Sequence, residues 1–490
     1  MPPRLSVVLL ALLAGLSAAV YLTVSGWGAA LGFPLDDAWI HQTYARNLGQ
    51  HGEFAFVPGE PSAGSTAPLW SAMLAVGYGL RFEPRLWTYA LGAGALALTA
   101  WLAQRWVLDV WPERGWAAVA AGVAVGLEWH LAWAAVSGME TVLFAALALA
   151  VFVAPARRPG WLGLLVGVSV LVRPDGLTLL PFVLARVLGS DIRWRPALRV
   201  LAGFVAVFGP YLAFNYWLGG ALWPNTFYAK QAEYAVMRDL PFLWRLGSVG
   251  LQPFIGAQIL LAPGLAAAGW QALRGRRLEI GLPLLWAAVF LAAYVLRLPV
   301  TYQYGRYVMP VIPVLVAAGV GGLAGGLRLR ASQLGPRLLS RAWAAALGVL
   351  LGVFWVWGAV LYRRDVRLIE TEMVAAARWI NLNTPPGAVI AAHDVGALGY
   401  FGGRPLLDLA GLVSPDVIPF IRDEARLADW LDASGADYLL TFPGWYPRLA
   451  AAAAGSEVFR TGAPYAPAAG GENLVVYRWP PVAQSNTPAP

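Results

Sequence analysis

The sequence predicts an α-helical polytopic membrane protein of about 11 spans plus juxtamembrane helices, with a small α/β domain at its C-terminal end. The 490 residues are 59% hydrophobic and only 13% charged, and the mean hydropathy is +0.59. Soluble domains are about 25% charged, so this composition excludes a soluble enzyme, a disordered chain and a fibrous repeat. Cysteine is absent, which excludes disulfides, thiolate metal sites and thiol nucleophiles.

Long apolar stretches account for the predicted spans, since a membrane helix needs about 20 apolar residues. The first, 5–31, follows a single early cation, and we interpret it as a retained helix rather than a cleaved signal peptide. The stretch 68–80 is short for a span and is predicted to be re-entrant or interfacial. The remaining stretches are 86–104, 116–136, 139–155, 160–172, 177–190, 196–218, 241–269, 279–297, 308–326 and 341–361.

The net charge of +8 comes from arginines in short loops between apolar stretches. This distribution follows the positive-inside rule, so it indicates a bilayer as the partner and not a nucleic acid. Placing the arginine clusters in the cytoplasm, Arg193 among them, puts the loops 137–140, 173–176, 219–240 and 299–307 outside. The first loop, 32–66, and everything after Tyr362 are then also extracytoplasmic.

The chain changes character after residue 362, which predicts a membrane domain over 1–362 and an extracytoplasmic α/β domain over 363–482. Short strands are predicted over Ala388–Ala392, Pro405–Leu409, Tyr438–Phe442 and Leu474–Trp479, and helices over Glu370–Asn381 and Glu424–Ala433. The polar tail 483–490 is predicted to be disordered.

The first external loop carries two adjacent acids, Asp36 and Asp37, before a helical pattern. Ile40, Tyr44 and Leu48 recur every four residues, which predicts an amphipathic helix on the bilayer surface. Adjacent carboxylates repel each other, and this suits a proton acceptor or a metal ligand. An N-cap with a solvated acid beside it is the alternative that the spacing leaves open, with Asp36 better placed as the cap.

Several motifs together resemble one superfamily of membrane enzymes. They are Gly-Glu-Pro-Ser-Ala-Gly-Ser-Thr-Ala-Pro-Leu-Trp at 59–70, Ser-Gly-Met-Glu-Thr at 137–141, Arg-Pro-Asp-Gly at 173–176, Pro-Asn-Thr-Phe-Tyr-Ala-Lys at 224–230, Tyr-Gly-Arg-Tyr-Val-Met-Pro at 304–310, His-Asp-Val-Gly-Ala-Leu-Gly-Tyr-Phe at 393–401 and Leu-Asp-Leu-Ala-Gly-Leu-Val at 407–413. With the acidic pair, they resemble the polytopic GT-C glycosyltransferases. The resemblance covers about residues 30 to 415 and is greatest to the bacterial branch that includes the mycobacterial terminal arabinofuranosyltransferase.

The resemblance implies an inverting transfer of a sugar from a polyprenyl-phosphate donor to an acceptor hydroxyl outside the cytoplasm. The acceptor is a cell-envelope glycan, a lipid or a protein. Asp36 and Asp37 are the candidate catalytic acids. The candidate groups for the donor phosphate are Lys230, Arg306 and Arg173. Further candidate substrate contacts are Glu140, Asp175, His41, Asn225 and Tyr228.

Lys230 is the only lysine of the chain. A compact ammonium suits a phosphate oxygen, and the alternative is an ordinary surface lysine. Arg173 can instead pair with Asp175, and His41 is also interpretable as a plain polar residue.

No cofactor is required by the motifs, although Asp36, Asp37 and Glu140 are candidate ligands for Mg²⁺ or Mn²⁺. The competing function is a transporter or flippase of lipid-linked sugars. Transporters usually hold polar groups near the membrane midplane and contain internal repeats. Here the polar motifs cluster at one face and no repeat is evident, which favours the transferase.

Overall fold

The computed structural model describes residues 3–27, 31–190 and 194–481, and these are mostly helical. Arg193 of one predicted cytoplasmic cluster and the predicted disordered tail 483–490 lie outside the described residues.

Helices make up most of the described chain before residue 384. A two-stranded hairpin, β1 (Ala55–Val57) and β2 (Glu60–Pro61), lies in the first loop. The helices are α1 (Pro3–Gly26), α2 (Asp37–His51), α3 (Pro68–Gly79), α4 (Pro84–Val110), α5 (Gly115–Gly126), α6 (Trp129–Ala135), α7 (Thr141–Val153), α8 (Pro159–Val172), α9 (Leu180–Ser190), α10 (Trp194–Gly219), α11 (Asn225–Glu233), α12 (Phe242–Gly250), α13 (Ala262–Gly275), α14 (Leu278–Arg297), α15 (Tyr302–Gly305), α16 (Ile312–Ala324), α17 (Leu334–Ile369) and α18 (Ala375–Asn383).

Six of the described helical segments are long and apolar enough to cross a membrane, and the number rises to eight if two bent helix pairs each count as one span. The chain is therefore a multi-pass membrane protein. The predicted eleven is higher than this number because α7 and α8 have only 13 and 14 residues and α9 only 11. Each predicted apolar stretch nevertheless coincides with a helix or a bent pair. The short stretch 68–80 forms α3, which is not among the candidate spans.

The C-terminal part is a small α/β domain, as predicted. Its five strands are β3 (Ile390–Ala392), β4 (Leu406–Asp408), β5 (Tyr438–Thr441), β6 (Glu457–Arg460) and β7 (Val475–Arg478), and they are arranged in the order β4-β3-β5-β7-β6. The first three strands of this order run parallel, and β7 is antiparallel to β5 and β6. Four of the strands were predicted. The edge strand β6 was not predicted. It begins and ends with exposed charged residues, Glu457 and Arg460, so its four residues do not alternate between apolar and polar.

Helices α19 (Glu424–Ala433), α20 (Pro447–Ala452) and α21 (Tyr465–Ala468) complete this domain, and α19 has the predicted bounds. Leu427 and Leu431 of α19 pack with Leu439 and Val475 of the sheet in one buried cluster. The last membrane helix enters the domain without a break, because α17 continues through a π-helical turn at Glu370–Val374 into α18. The predicted boundary at residue 363 thus falls inside a continuous helix.

Helix α2 is where the fold differs most from the sequence interpretation. The predicted surface helix is buried instead, with nine of its fifteen residues inaccessible, polar ones included. It packs against α3 and against the turn Leu398–Gly402 of the C-terminal domain. Gly52, with φ of 74°, ends the helix by donating its N–H to Asn47 and Leu48. Both faces of α2 are therefore covered by protein, which places its first residues between the membrane helices and the C-terminal domain.

Candidate active site

The two adjacent acids at the start of α2 have different surroundings. Asp36 is the N-cap residue, but its side chain does not cap the helix. Its carboxylate instead accepts hydrogen bonds from the backbone N–H groups of Gly396 (2.6 Å) and Ala397 (2.8 Å) in the C-terminal domain. Asp37 points the other way and lines a large cavity. The two acids therefore face the C-terminal domain and the membrane helices respectively.

Asp37 lies at the centre of a compact charged cluster. Its Oδ2 accepts a hydrogen bond from Nη2 of Arg306 and lies 3.6 Å from Nζ of Lys230. The hydroxyl of Tyr307 joins both cations, at 3.0 Å from Lys230 Nζ and 3.1 Å from Arg306 Nη2. Arg306 Nε and Nη1 are buried and have no hydrogen-bond partner among the described residues. The cluster thus contains one carboxylate and two cations, with donor groups still free.

The surroundings move the pKa values of the two acids in opposite directions. Burial alone would raise the pKa of Asp37, but the charges of Lys230 and Arg306 hold it well below its usual value. Burial and the nearby charge of Asp394 raise the pKa of Asp36, and the backbone donors of Ala397 and Gly396 offset only part of that rise. Opposed shifts of neighbouring acids are typical of groups with separate roles.

A second polar group lines the same cavity beside the first, with the Arg173 guanidinium 5.8 Å from the Tyr307 ring centroid. Glu140, the N-cap residue of α7, has Oε2 3.4 Å from His41 Nε2 and Oε1 3.8 Å from Arg173 Nη1. Arg173 also donates to Asp175 at 2.8 Å and to the Tyr294 hydroxyl at 2.9 Å. Glu140 Oε2 is buried, and apart from its contact with His41 it has no polar partner among the described residues. A carboxylate oxygen has two lone pairs, so this oxygen can still accept a hydrogen bond from a ligand.

The cavity that joins these two groups has a volume of about 780 Å³. Its other wall is apolar and includes Leu177, Pro181, Phe227 and Val289. Val289 lies on α14, one of the candidate spans, and is 43% exposed. The cavity therefore connects a charged end, built from α2, α11 and the residues before α16, with the apolar outer surface of a membrane helix.

Seven of the ten sequence-predicted site residues line the cavity, and three do not. Those that line it are Asp37, His41, Glu140, Arg173, Asp175, Lys230 and Arg306. Asp36 binds the backbone of the C-terminal domain. Asn225 is buried and forms hydrogen bonds with backbone carbonyls. Its backbone N–H donates to the Ala63 carbonyl at 3.0 Å, and its side-chain amide donates to the Leu412 carbonyl at 3.3 Å. Tyr228 is 38% exposed and packs on Phe227.

Two tyrosines in the cavity wall were not singled out from the sequence. Tyr307 contacts Lys230 and Arg306, and Tyr294 stacks on Tyr307 with ring centroids 5.8 Å apart. Tyr307 directly follows Arg306 in the motif at 304–310, so the sequence could have identified it as a site residue. The sequence around Tyr294 offers no such motif, because Tyr294 lies inside an apolar stretch.

The carboxylates do not form a recognisable metal site. Among the described residues, no group of three or more His, Cys, Asp or Glu side chains is placed to hold an ion. Asp36 binds two backbone N–H groups and Asp37 faces two cations. A divalent cation on the predicted set of Asp36, Asp37 and Glu140 would have to displace those partners, so these residues do not fit a metal as arranged.

Lys230 lies in a helix, α11, and not in the predicted loop. Burial would lower the pKa of its ammonium, but Tyr307 and Asp37 raise it above the usual value. The side chain is 23% exposed. Lys230 is therefore a fixed, charged group at the cavity and not a mobile surface lysine.

Comparisons with known proteins agree with the fold. A domain family of unknown function, DUF8728, matches residues 361–477, and no curated protein matches the chain in sequence. ArnT from Cupriavidus metallidurans, solved in the apo state and bound to undecaprenyl phosphate, is 16% identical with a TM-score of 0.58, over 95% of this chain and 97% of that one. The oligosaccharyltransferase of Archaeoglobus fulgidus is 13% identical with a TM-score of 0.63, over 90% of this chain and 69% of that one. Both are GT-C membrane enzymes, and the GT-C fold predicted from the sequence motifs is confirmed.

Proposed function

We propose that the protein is an inverting glycosyltransferase that moves a sugar from a polyprenyl-phosphate donor to an acceptor hydroxyl. The observation that carries this proposal is the cavity, which joins a carboxylate and two cations at one end to an apolar wall at the other. An amphiphile with an anionic head and a long hydrocarbon tail fits that polarity. ArnT, which has the same fold, was solved with undecaprenyl phosphate bound, and this supports the donor class.

The phosphate of the donor binds to Lys230 and Arg306. Arg306 has two buried nitrogens without a partner among the described residues, and unpaired buried donors are costly unless a ligand satisfies them. Charge-assisted hydrogen bonds from these groups stabilise the phosphate as it gains negative charge. Arg173 is paired with Asp175 and lies 5.8 Å from the Tyr307 ring centroid, so it adds positive charge near the phosphate without contacting it as Lys230 and Arg306 do.

Asp37 is the general base. Lys230 and Arg306 lower its pKa and keep the carboxylate ionised but weakly basic in the free protein. A donor phosphate bound to these two cations offsets their charge, which raises the pKa of Asp37 toward the range in which it can accept a proton. The acceptor oxygen bonds to the anomeric carbon, the acceptor proton passes to Asp37, and the bond from that carbon to the phosphate oxygen breaks. The electron pair leaves with the lipid phosphate, and a single displacement inverts the anomeric centre.

The donor sugar lies between Asp37 and the pair formed by Glu140 and His41. There Glu140 Oε2 accepts a hydrogen bond from a sugar hydroxyl with its remaining lone pair, and His41, 3.4 Å from the same oxygen, holds the carboxylate in place. Asp175 is tied to Arg173 and Tyr294, so it shapes this part of the cavity. An arabinofuranosyl unit, as in the branch with the resembling motifs, is one sugar to test.

The active site and the C-terminal domain face away from the cytoplasm in this proposal. The arginine clusters support that orientation. An alkaline phosphatase fused after residue 481 is expected to be active, because the enzyme folds only outside the cytoplasm. Activity of a cytoplasmic reporter at the same position would contradict it.

The function is tested with purified protein in nanodiscs and a panel of polyprenyl-phosphate sugars, with release of the lipid phosphate as the readout. The wild type should release phosphate from at least one donor, and Asp37→Asn should lose about 10²–10⁴-fold in turnover. Asp239→Asn is the matched control, since Asp239 is exposed and remote from the cavity lining. Movement of intact donor across the bilayer without cleavage would instead favour the flippase.

A further inference from the structure

A polar and aromatic patch lies between α11 and the C-terminal domain, outside the cavity described above. Glu233 is at the end of α11, three residues beyond Lys230. Its Oε1 lies 3.3 Å from Nε2 of His393, and Nδ1 of His393 is 2.8 Å from the Tyr446 hydroxyl. None of these three residues lines the cavity. The patch therefore starts one helical turn from the phosphate-binding lysine and runs onto the C-terminal domain.

Asp36 determines where this patch sits relative to the catalytic base. Its two hydrogen bonds hold Gly396 and Ala397 against the start of α2. The approach requires glycine, because a Cβ on Gly396 would lie 2.0 Å from the Asp36 carbonyl oxygen. Asp394, two residues earlier, interacts electrostatically with Asp37 and Arg306. The docking contact thus brings the C-terminal domain beside Asp37.

Asp394 and Trp445 are the two groups of the patch with capacity for a ligand. The Asp394 carboxylate makes no hydrogen bond or ion pair with any described residue, although it is partly buried. Trp445 is 49% exposed, and its ring centroid is 5.2 Å from that of His393 and 5.0 Å from that of Phe442. A small cavity of about 10 Å³ lies between them, which is room for one water or one hydroxyl group.

We infer that Glu233, His393, Asp394 and Trp445 form the acceptor subsite and that the acceptor is an uncharged carbohydrate. This inference rests on the transferase function proposed above. An aromatic face packs on the C–H face of a sugar ring, and carboxylates and imidazole bind its hydroxyls. The combination of one exposed indole with one unpaired carboxylate fits a sugar better than it fits an apolar lipid.

A single displacement requires the attacking hydroxyl to approach the anomeric carbon from the side opposite the leaving phosphate. Lys230 and Arg306 hold the phosphate in the cavity, and Asp394 interacts electrostatically with Asp37 and Arg306. The patch therefore lies beside the base, and the attack requires the acceptor hydroxyl to extend from the patch to Asp37.

Carboxylates outnumber cations at this patch. Glu233, Asp394 and Asp408 raise the pKa of His393, so that it is a cation at neutral pH. Asp394 also interacts electrostatically with Asp37 and with one further cation, Arg306. A phosphorylated lipid, a uronic acid or an acidic peptide would be repelled there, since like charges at close range disfavour binding.

The inference is tested by saturation-transfer NMR on the full chain in nanodiscs. The probes are three neutral methyl glycosides, of mannopyranose, galactopyranose and arabinofuranose, and the methyl glycoside of glucuronic acid as an anionic counterpart. At least one neutral glycoside should bind and the glucuronide should not. Trp445→Ala should weaken binding about tenfold, the equivalent of about 1.4 kcal/mol. Trp217→Ala is the matched control, because Trp217 is 77% exposed on another surface.

Undecaprenyl phosphate binding, measured on the same samples, separates the two proposals. Normal binding of the lipid phosphate without binding of any neutral glycoside would overturn the acceptor subsite and leave the transferase intact. Glycoside binding that Trp445→Ala does not weaken would also overturn it. If the wild-type protein did not bind undecaprenyl phosphate, the proposed transferase function itself would be refuted. Asp394→Asn should weaken the neutral glycoside and relieve the exclusion of the glucuronide, a combination that a merely structural defect would not produce.

Discussion

Replacing Asp37 with asparagine should slow sugar transfer by about 10²–10⁴-fold and at the same time tighten the binding of undecaprenyl phosphate. Asp37 accepts a hydrogen bond from Arg306 and lies 3.6 Å from Lys230. These are the two cations assigned to the phosphate. In the free protein the carboxylate therefore competes with the phosphate for Nη2 of Arg306 and for Lys230, while Nε and Nη1 of Arg306 stay unpaired. It also repels the phosphate once that is bound.

The geometry sets the size of the effect. A phosphate that contacts both cations lies within about 6 Å of the Asp37 carboxylate, and two unit charges at that distance repel by about 3 kcal/mol at an effective dielectric constant of about 20. Lys230 and Arg306 rearrange when they lose their contact with Asp37, and this reduces the expected gain in binding free energy. Each 1.4 kcal/mol corresponds to a factor of about ten in affinity, so we expect the dissociation constant to fall by roughly 10- to 100-fold.

The assay is a titration of purified protein in nanodiscs with undecaprenyl phosphate, read by calorimetry at low salt. Asp239→Asn should bind like the wild type, because Asp239 is exposed and carries no ion pair among the described contacts. Equal or weaker binding by a folded Asp37→Asn protein would refute the assignment of the phosphate to Lys230 and Arg306. Retained turnover would refute the assignment of the base.

Three further predictions concern the same region. Lys230→Ala should reduce activity about 10–100-fold, because a hydrogen bond to a charged group contributes about 1.5–3 kcal/mol, and Lys230→Arg should also be impaired at limiting donor. Gly396→Ala should lower the thermal midpoint by the equivalent of about 1–3 kcal/mol, since its Cβ would overlap Asp36; an unchanged midpoint would contradict the docking contact. Burial lowers the pKa of His393, but Glu233 and Asp394 raise it from 6.5 to about 9. The contact with Glu233 should therefore stabilise the fold fully below about pH 6.5 and lose this effect as the pH rises through about 9. Thermal unfolding from pH 6 to 10 should show the loss, and His393→Gln should not.

Local patterns in the sequence predicted most of the architecture. The apolar stretches identify every candidate span because span length and composition are properties of contiguous residues. Four strands of the C-terminal sheet and the helix Glu424–Ala433 followed from the same reasoning. The acids and cations that line the cavity were named from motifs that resemble those of GT-C glycosyltransferases, and their roles in catalysis stay predictions.

Contacts between distant segments account for what the sequence did not predict. The pattern of Ile40, Tyr44 and Leu48 is amphipathic, yet α2 is buried because α3 and the C-terminal domain cover both of its faces. Asp36 binds Gly396, which is 360 residues away, and no spacing rule contains that partner. The pairing of His393 with Glu233 is likewise visible only once the two domains are in contact.

The adjacency of Asp36 and Asp37 gives the C-terminal domain a direct effect on the base. Because consecutive residues at a helix start point in different directions, one carboxylate can bind the domain while the next faces the cavity. The docking bonds of Asp36 limit the movement of the first turn of α2, and that turn carries Asp37. In Asp36→Asn the side chain keeps one oxygen that can accept a hydrogen bond from one backbone N–H, but it loses the second acceptor and the charge. We therefore expect the variant to move the Asp37 side chain and to change the pKa of Asp37 only slightly. We expect a fall in turnover with little change in the affinity for undecaprenyl phosphate, which is the opposite of the result expected for Asp37→Asn. If both variants changed lipid affinity equally, the two acids would share one role and the division between docking and proton transfer would be wrong.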